Sequence, residues 1–248
     1  MKYVVDKRFT TSVERTPRVL EIAEGFGLGL SEKEFIVYDH FEIEVNAGDV
    51  VYITGQSGSG KSLLLKDLAA QMRAGGLTVA DLDKIELGNQ PVIDLLGETT
   101  TIAADFLAKA GISDAYLYLR KPSELSDGQR YRLKLASLMS KGHDVWVADE
   151  FGAVLDRVTA RIIAFNIQKV ARALKKTLIV ATTHTDLEME LAPTLMVTKH
   201  FREKIRLKKA ESKECSGQGG RHIYSRSMNQ TYPRLCVHCG QVEEIRAL

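Results

Sequence analysis

One glycine-rich segment limits the folds open to this chain more than any other feature. The pattern G-x-x-x-x-G-K-[ST] is matched by Gly55-Gln56-Ser57-Gly58-Ser59-Gly60-Lys61-Ser62. The segment follows an apolar run that predicts a strand (Val50–Thr54) and precedes a predicted helix that begins at Leu63. In this context the loop N–H groups wrap phosphates, the lysine reaches the β- and γ-phosphates, and the final hydroxyl binds Mg²⁺. Residues Gly55–Leu63 therefore predict a nucleotide-binding loop.

Length, charge and cysteine content exclude several classes of protein. The 248 residues are 44% hydrophobic, enough for one sizeable core and a small appended module. The formal net charge is +2, so any basic surface must be local. No apolar run approaches the ~18–20 residues that span a bilayer, and the first residues do not form a secretory signal. Three cysteines without an export signal predict reduced thiols, so we expect a cytoplasmic protein without membrane insertion.

The order of predicted elements indicates an α/β fold. Apolar runs at Val145–Ala148 and Thr177–Ala181 alternate with predicted helices at Gly128–Met139 and Thr159–Leu174. Strands that are apolar throughout and alternate with helices are typical of a mostly parallel sheet covered on both faces. We therefore expect such a sheet to follow the nucleotide-binding loop.

Smaller units surround this predicted sheet. Two runs, Phe35–Tyr38 and Phe41–Val45, predict an antiparallel β subdomain, whereas residues 1–34 show no clear period. Residues 92–120 read largely as a short helical subdomain. Leu195–Lys199 and Lys204–Lys208 predict a closing hairpin. The composition changes near residue 210, which predicts a domain of residues 1–209 followed by a linker and tail module of 210–248.

Two further motifs supply chemistry to a bound nucleotide. Leu125-Ser126-Asp127-Gly128-Gln129 opens a predicted helix, and Asp149 ends an apolar strand and is followed by Glu150. A carboxylate at the end of a buried strand suits a role in holding Mg²⁺, and Glu150 is then placed to polarise an attacking water.

The signature segment 125–129 resembles the Leu-Ser-Gly-Gly-Gln signature of ABC ATPases, and the resemblance covers roughly residues 35–209. It implies a P-loop NTPase fold of the ABC type that hydrolyses ATP with Mg²⁺ in a homodimer. It also implies roles for residues elsewhere in the chain. Ser126, Gly128 and Gln129 would complete the site of the opposing subunit. Asp156 would lie in the D-loop, His184 would contact the γ-phosphate, and Gln90 would contact nucleotide and Mg²⁺.

A narrower resemblance is to the ATPase half of ABC-type ATPases fused to a predicted acetyltransferase. It is carried by residues 51–55, 124–129, 149–151 and 181–187. This chain is too short to include the acetyltransferase half. The base-stacking aromatic that the family implies is Tyr38 or Phe35.

Three positions depart from the common ABC pattern. Asp127 replaces a signature glycine, Phe151 replaces the proline after the catalytic glutamate, and Ala153 replaces the D-loop serine. The carboxylate of Asp127 would lie near a partner's γ-phosphate, which puts the strength of ATP-driven pairing in question.

The C-terminal residues predict a zinc-ribbon-like tail. Cys236 and Cys239 form a C-x-x-C knuckle, and with Cys215 and His222 they give the spacing C-x6-H-x13-C-x2-C. Four such ligands would complete a tetrahedral structural Zn²⁺ site. His238 competes with His222 as the fourth ligand, and a tail with free thiols is the alternative.

Basic residues precede this tail. His200, Arg202, Lys204, Arg206 and Lys208 alternate with mostly apolar residues, which predicts one basic face on a strand. The face fits either a charge-protected edge strand or a contact with nucleic acid or nucleoprotein through residues 199–248.

Three functions stay open from the sequence. The first is a non-transporter ABC-type ATPase that remodels or regulates a nucleic-acid or nucleoprotein partner. The second is the ATPase subunit of a membrane transporter, and the third is an ATP-switched assembly or regulatory protein. Gln90 and Ser126 are only 36 positions apart, a short region for docking a permease, which favours the first.

Overall fold

The computed structural model describes residues 1–201, 203–210, 212–214 and 221–223. The chain divides into two compact units, Met1–Glu44 and Val45–Leu248. The predicted boundary between a domain of residues 1–209 and a tail of 210–248 stays a prediction. Among the residues given above, no helix is long and apolar enough to cross a membrane.

The N-terminal unit is a two-stranded antiparallel ribbon with one helix. Strand β1 (Lys2–Thr11) pairs with β2 (Lys33–Glu44), and α1 (Pro17–Phe26) connects them. The separate strands predicted within residues 35–45 are one continuous strand, and residues 2–11, which show no clear period, are its partner. Register shifts between Val5 and Arg8 explain the missing period, because each shift moves the side chains to the opposite face.

The second unit contains a six-stranded sheet in the order β4-β5-β6-β3-β7-β8. The first five strands are parallel, and β8 is antiparallel to β7. Its strands are β3 (Val50–Thr54), β4 (Val79–Asp81), β5 (Val145–Ala148), β6 (Thr177–Thr182), β7 (Leu195–Thr198) and β8 (Arg206–Lys209). The predicted α/β fold with a mostly parallel sheet is confirmed.

Helices separate the five parallel strands along the chain. They are α2 (Lys61–Ala74), α3 (Thr100–Lys109), α4 (Ala115–Tyr118), α5 (Asp127–Ser140), α6 (Arg157–Ala173) and α7 (Glu188–Leu191). Short 3₁₀ turns lie at Leu82–Lys84, Val92–Leu95 and Pro122–Glu124. A second antiparallel pair, β9 (Ser212–Glu214) with β10 (Arg221–Ile223), follows β8.

The core of this unit lies on the central strands. Every residue of β3, β5 and β6 is buried, including Trp146 and Tyr52. Helix α6 contributes an apolar stripe with helical spacing, in which Ala160, Ile163 and Ile167 are buried. Strands without a polar face can exist only under helices on both sides, as the sequence pattern indicated.

The predicted closing hairpin forms, but the basic stripe does not lie on one strand. Strand β8 begins at Arg206, and the preceding residues form the turn, where Glu203 N–H donates to the His200 carbonyl at 3.3 Å. His200 and Lys204 therefore lie off the strand, and Arg202 lies outside the described residues. Lys208 pairs with Glu188. The predicted continuous five-residue basic face is wrong, since His200 and Lys204 precede the first residue of β8.

Gly55 marks a close approach between two neighbouring strand ends. The N–H of Lys199, just after β7, donates to the Thr54 carbonyl at 2.9 Å. Gly55 has φ 142°, and a Cβ at this position would lie 1.8 Å from the Lys199 carbonyl oxygen. A glycine is thus required by the packing of the sheet as well as by the loop that follows.

We expect Gly55→Ala to lower the free energy of unfolding by about 2–5 kcal/mol, because overpacking and positive φ both cost energy. Urea unfolding of the nucleotide-free protein measures this change. Gly142→Ala is the matched control, since nothing lies within 4 Å of a Cβ there. Equal unfolding midpoints for the two variants would show that the close approach of Lys199 does not require a glycine at position 55.

Candidate functional site

The predicted site residues follow three strands that are neighbours in the sheet. The glycine-rich loop follows β3, Asp149 and Glu150 follow β5, and His184 follows β6. These strands are parallel and adjacent in the order β5-β6-β3. Their carboxyl ends therefore meet at one edge of the sheet, where open α/β folds bind ligands.

The loop after β3 leads directly into the first turn of α2. Gly60 caps this 14-residue helix with φ 100°, a conformation open to glycine, and no side chain caps the helix N–H groups. The hydroxyl of Ser59 is buried without a hydrogen-bond partner. Open helix N–H groups and an orphaned hydroxyl fit an anionic group such as a phosphate.

Lys61 closes this loop from the helix side. Its side chain is buried, and its Nζ donates to the Gln56 carbonyl at 2.8 Å. Burial lowers the pKa of Lys61, and the negative charges of Glu150 and Asp149 oppose that shift. The ammonium group is therefore within electrostatic reach of both acidic residues that follow β5. The predicted loop ends at Leu63, whose N–H donates to the Gly60 carbonyl at 3.0 Å.

Ser62 and Asp149 form a pair of oxygen ligands. The Ser62 hydroxyl donates to Asp149 Oδ1 at 3.0 Å, and Glu150 N–H donates to the same oxygen at 3.1 Å. Lys66 Nζ lies 4.0 Å from the other carboxylate oxygen. A hydroxyl and a carboxylate at this distance fit Mg²⁺, which binds oxygen ligands.

Asp83 is a residue that sequence analysis missed. Burial raises its pKa, and the carboxylates of Asp81 and Asp149 raise it further. Asp83 thus lies within electrostatic reach of Asp149, although it belongs to a 3₁₀ turn after β4 with no recognisable motif. Its position after a sheet strand was the only available signal.

Glu150 adopts a conformation that is rare for its residue type. Its φ is 45°, in the left-handed region, and its side chain is exposed. Such backbone conformations cost energy in residues other than glycine and persist only where the surroundings enforce them. The neighbouring Phe151 is fully buried, and its N–H donates to the Ala181 carbonyl on β6 at 2.9 Å. The sheet therefore holds the turn that presents Glu150.

His184 is held through its backbone. Its carbonyl accepts hydrogen bonds from the hydroxyls of Tyr52 and Thr54, both on β3. Burial lowers the pKa of its half-buried ring, as does the positive charge of Arg157, whereas Glu150 opposes the shift. The ring therefore lies within electrostatic reach of Glu150.

Arg157 and Asp186 are a second omission of the sequence analysis. Arg157 begins α6 directly after Asp156, and its guanidinium pairs with Asp186, two residues after His184. One guanidinium nitrogen of Arg157 is buried without a partner. The sequence offered one signal for this pair, which is that Arg157 and Asp186 lie close in the chain to the predicted site residues Asp156 and His184. The pairing itself leaves no local pattern, because the two residues are 29 positions apart.

The signature segment forms the first turn of α5. Ser126 caps the helix, and its hydroxyl accepts the Gln129 N–H at 3.3 Å, while Gln129 Oε1 accepts the Ser126 N–H at 3.0 Å. This reciprocal capping box fixes both predicted site residues on an exposed helix terminus. Asp127 is largely exposed and pairs with Arg130 at 3.2 Å. A carboxylate in the first turn stabilises the helix.

The predicted D-loop adjoins the signature segment within the same chain. A Cβ on Gly128 would lie 3.7 Å from the Val154 carbonyl and from a methyl carbon of Leu155. Asp156 caps α6 by accepting the Thr159 N–H at 3.0 Å, and hydrogen bonds from Thr159 lower the pKa of its carboxyl group. Signature and D-loop are thus neighbouring helix termini.

Two further nucleotide contacts predicted from the sequence stay predictions. Gln90 is exposed just before Pro91, and its contact with nucleotide and Mg²⁺ stays a prediction. Tyr38 belongs to the N-terminal unit, where its ring is buried and lies 6.1 Å from the ring of Phe41. Its stacking on a base also stays a prediction.

The predicted zinc ligands come from the C-terminal tail. Cys215, Cys236 and Cys239 lie outside the described residues, as does the rival ligand His238. His222 lies on β10, whose backbone alone is described. Within the described part of the chain, Asp6, Asp39 and His40 form the group with metal-ligand spacing, but Arg8 already pairs with both carboxylates.

Known proteins with a similar sequence or fold are ATP-binding proteins. The family described as "ABC transporter" matches residues 38–99. The aliphatic sulfonates import ATP-binding protein SsuB 2 of Rhodococcus jostii (strain RHA1) is 29% identical over 203 residues, 73% of this chain and 77% of that protein. A probable export ATP-binding/permease protein of Pseudomonas fluorescens is 27% identical over 197 residues, 65% of this chain but 29% of that protein.

The fold is also that of a solved ATP-binding cassette. The dimeric post-hydrolysis state of the cassette MJ0796 bound to ADP and Pi superimposes with a TM-score of 0.60 at 16% identity, covering 84% of this chain and 98% of that chain. The narrower resemblance to ATPases fused to an acetyltransferase stays a prediction. In motif order, strand order and relatives, this chain is similar to ABC-type ATPases, which are P-loop NTPases that hydrolyse ATP.

Proposed function

We propose that the nucleotide site consists of the loop Gly55–Leu63 together with Asp149, Glu150 and His184. The convergence of these groups at the carboxyl ends of β3, β5 and β6 carries this proposal. Loop N–H groups, the Ser59 hydroxyl and Lys61 bind the phosphates. Ser62 and Asp149 hold Mg²⁺, which supplies further positive charge when bound.

Glu150 then polarises the water that attacks the γ-phosphate, and His184 contacts that phosphate. The attack forms a bond from the water oxygen to phosphorus and breaks the bond to the bridging oxygen, which leaves on ADP. The electrostatic coupling of Glu150 to both Lys61 and His184 supports their arrangement around one phosphate.

We further propose that two copies of the chain pair when ATP binds. Ser126, Gly128 and Gln129 lie at an exposed helix terminus, which can bind the γ-phosphate held by a neighbouring chain. Asp156 on the adjoining terminus of α6 would lie in the same interface. The fold similarity to dimeric cassettes supports this pairing.

Glu150→Gln should accumulate as a dimer in Mg-ATP, because ATP binds but its hydrolysis becomes slow. Light scattering with and without nucleotide measures the mass. Adding Gly128→Ala should weaken this dimer several-fold, since a methyl group is added at the phosphate-binding terminus while the capping box stays intact. A monomer at all ATP concentrations, with wild-type turnover per chain independent of protein concentration, would contradict the homodimer.

Asp127→Asn should strengthen the ATP-dependent dimer of Glu150→Gln several-fold. The exposed carboxylate lies one residue from Ser126, so it repels a docking γ-phosphate. The difference should shrink as salt is raised, because salt screens exposed charges. Dimer dissociation constants from sedimentation at two salt concentrations measure both effects. Unchanged constants would show that the Arg130 pair already cancels the charge.

We propose that this ATPase drives a membrane permease. The relatives named above are an import ATP-binding protein and an export ATP-binding/permease protein, which supports this role over a non-transporter one. In the segment between Gln90 and Ser126, the most exposed large apolar side chains are Tyr116 and Leu119, with 78% and 73% exposure. The Val92 N–H donates to the Arg120 carbonyl at 2.8 Å, which ties these side chains to the residues after Gln90.

Tyr116→Ser with Leu119→Ser should remove permease binding and leave ATP-driven pairing unchanged. Tagged protein is recovered from detergent-solubilised membranes, and co-purifying chains with several membrane spans are identified by mass spectrometry. Phe26→Ser, which removes an equally exposed ring from the N-terminal unit, is the control and should retain the permease. The docking proposal would be contradicted if the double variant recovered as much permease as the wild type does. It would also be contradicted if no membrane protein co-purified with the wild type.

A non-transporter ATPase is the second candidate. It is favoured by the short segment after Gln90, which holds one helix of 10 residues (α3) and one of 4 residues (α4). In this role the dimer cycle would remodel or regulate nucleic acid or nucleoprotein through residues 199–248, with Zn²⁺ stabilising the tail. The same purification separates the two candidates, since it would then recover nucleic acid or water-soluble chains and no permease.

A further inference from the structure

The turn that presents Glu150 has all its N–H groups satisfied, and one of them depends on a distant helix. Three of the four consecutive groups bond within the turn or to the sheet. The donors and acceptors are Glu150 to Asp149 Oδ1 (3.1 Å), Phe151 to the Ala181 carbonyl (2.9 Å), Gly152 to the Tyr131 hydroxyl oxygen (2.9 Å) and Ala153 to the Glu150 carbonyl (3.0 Å). Only the Gly152 N–H relies on a side chain from another element.

Tyr131 reaches this turn from the signature helix. It lies on α5, five residues after Ser126, and its ring packs edge-on against Phe151 with 6.5 Å between ring centroids. Phe151 is fully buried, and it replaces the proline of the common ABC pattern. A phenylalanine leaves the turn less rigid than a proline would, since proline fixes its own φ. The contact with Tyr131 supplies a restraint from outside the turn.

Gly152 is enclosed on two sides. Its N–H faces the Tyr131 hydroxyl, and a Cβ on it would lie 3.3 Å from the Cβ of Ala160 on α6. Its φ is 77°, and that of Glu150 is 45°. Gly152 adopts this conformation freely, whereas a left-handed glutamate persists only where surrounding contacts enforce it. The Tyr131 hydrogen bond is one of the contacts that hold this strained turn.

We propose that Tyr131 is a positioning residue for ATP hydrolysis, which holds the Glu150 carboxylate in place through the backbone of Gly152. The proposal rests on the proposed function, in that Glu150 polarises the attacking water. Tyr131 itself does not touch the nucleotide. If the Tyr131 hydroxyl is removed, the buried Gly152 N–H loses its hydrogen-bond acceptor. The turn then relaxes towards a conformation in which this N–H finds another acceptor. Glu150 then moves, although every group that binds ATP stays in place.

Tyr131→Phe tests this role because it removes one oxygen and keeps the ring packed on Phe151. We expect kcat to fall about ten- to a hundredfold, as for small misplacements of a catalytic group, with KM for ATP unchanged. The ATP-dependent dimer should form at the same nucleotide concentration. Tyr118→Phe is the matched control, since the Tyr118 hydroxyl also bonds a backbone group, the Ile112 carbonyl, at 3.1 Å. It should retain wild-type kcat.

The double variant Tyr131→Phe with Glu150→Gln separates the possible outcomes. If Tyr131 acts through the Glu150 carboxylate, the second change adds nothing to the slow turnover of Glu150→Gln. The proposal would be overturned if the losses in kcat of the two single variants multiplied in the double variant. It would also be overturned by a wild-type kcat for Tyr131→Phe, or by a loss in kcat for Tyr118→Phe as large as that for Tyr131→Phe. A wild-type rate for Glu150→Gln alone would instead overturn the proposed role of Glu150.

Discussion

The parallel pairing of β3 with β6, and of β6 with β5, is the constraint on which the remaining site depends. The ladders place Thr54 opposite Thr182 and Ala148 opposite Val180, so the three strands end within a few residues of one another. Each is followed at once by a polar segment. Because the strands are buried throughout, a shift in register would move apolar residues out of the core. The geometry of the site is therefore fixed by hydrophobic burial beneath it.

Charge is concentrated where this sheet edge meets the helix dipole of α2. Lys61 is buried within reach of Asp149 and Glu150, and Asp83 adds a further carboxylate near Asp149. A buried ammonium and nearby carboxylates keep their charges only when they interact with one another or with a ligand. Bound ATP and Mg²⁺ would bring opposite charges to the same place. The proposed nucleotide site would thus hold, before binding, the charges that phosphoryl transfer requires.

The signature segment shows how one set of atoms can serve folding and binding. Ser126 and Gln129 satisfy each other's backbone N–H groups at the start of α5, which is an exposed helix terminus. One turn further on, Tyr131 of the same helix bonds the turn behind Glu150. The signature segment and the turn of Glu150 are consequently joined within a single chain through helix α5.

The sequence by itself determined the glycine-rich loop, the burial of β3, β5 and β6, and the carboxylate pair after β5, because each of these is a local pattern. It also placed His184 and the signature on the correct element types. It did not predict β1, whose register shifts destroy the alternation of its side chains. Likewise, the alternation of basic residues at 200–208 predicted a strand where the turn of a hairpin lies, since periodicity carries no information about where a chain reverses.

Only the tertiary structure brought together pairs that are distant in the chain. Tyr131 meets Gly152 across 21 positions, Arg157 meets Asp186, and Gly55 meets Lys199 at the ends of two neighbouring strands. None of these contacts has a period or a spacing rule, since each arises where two elements cross after the core has formed. Local side-chain patterns therefore decided which elements form, and the packing of those elements decided which residues meet.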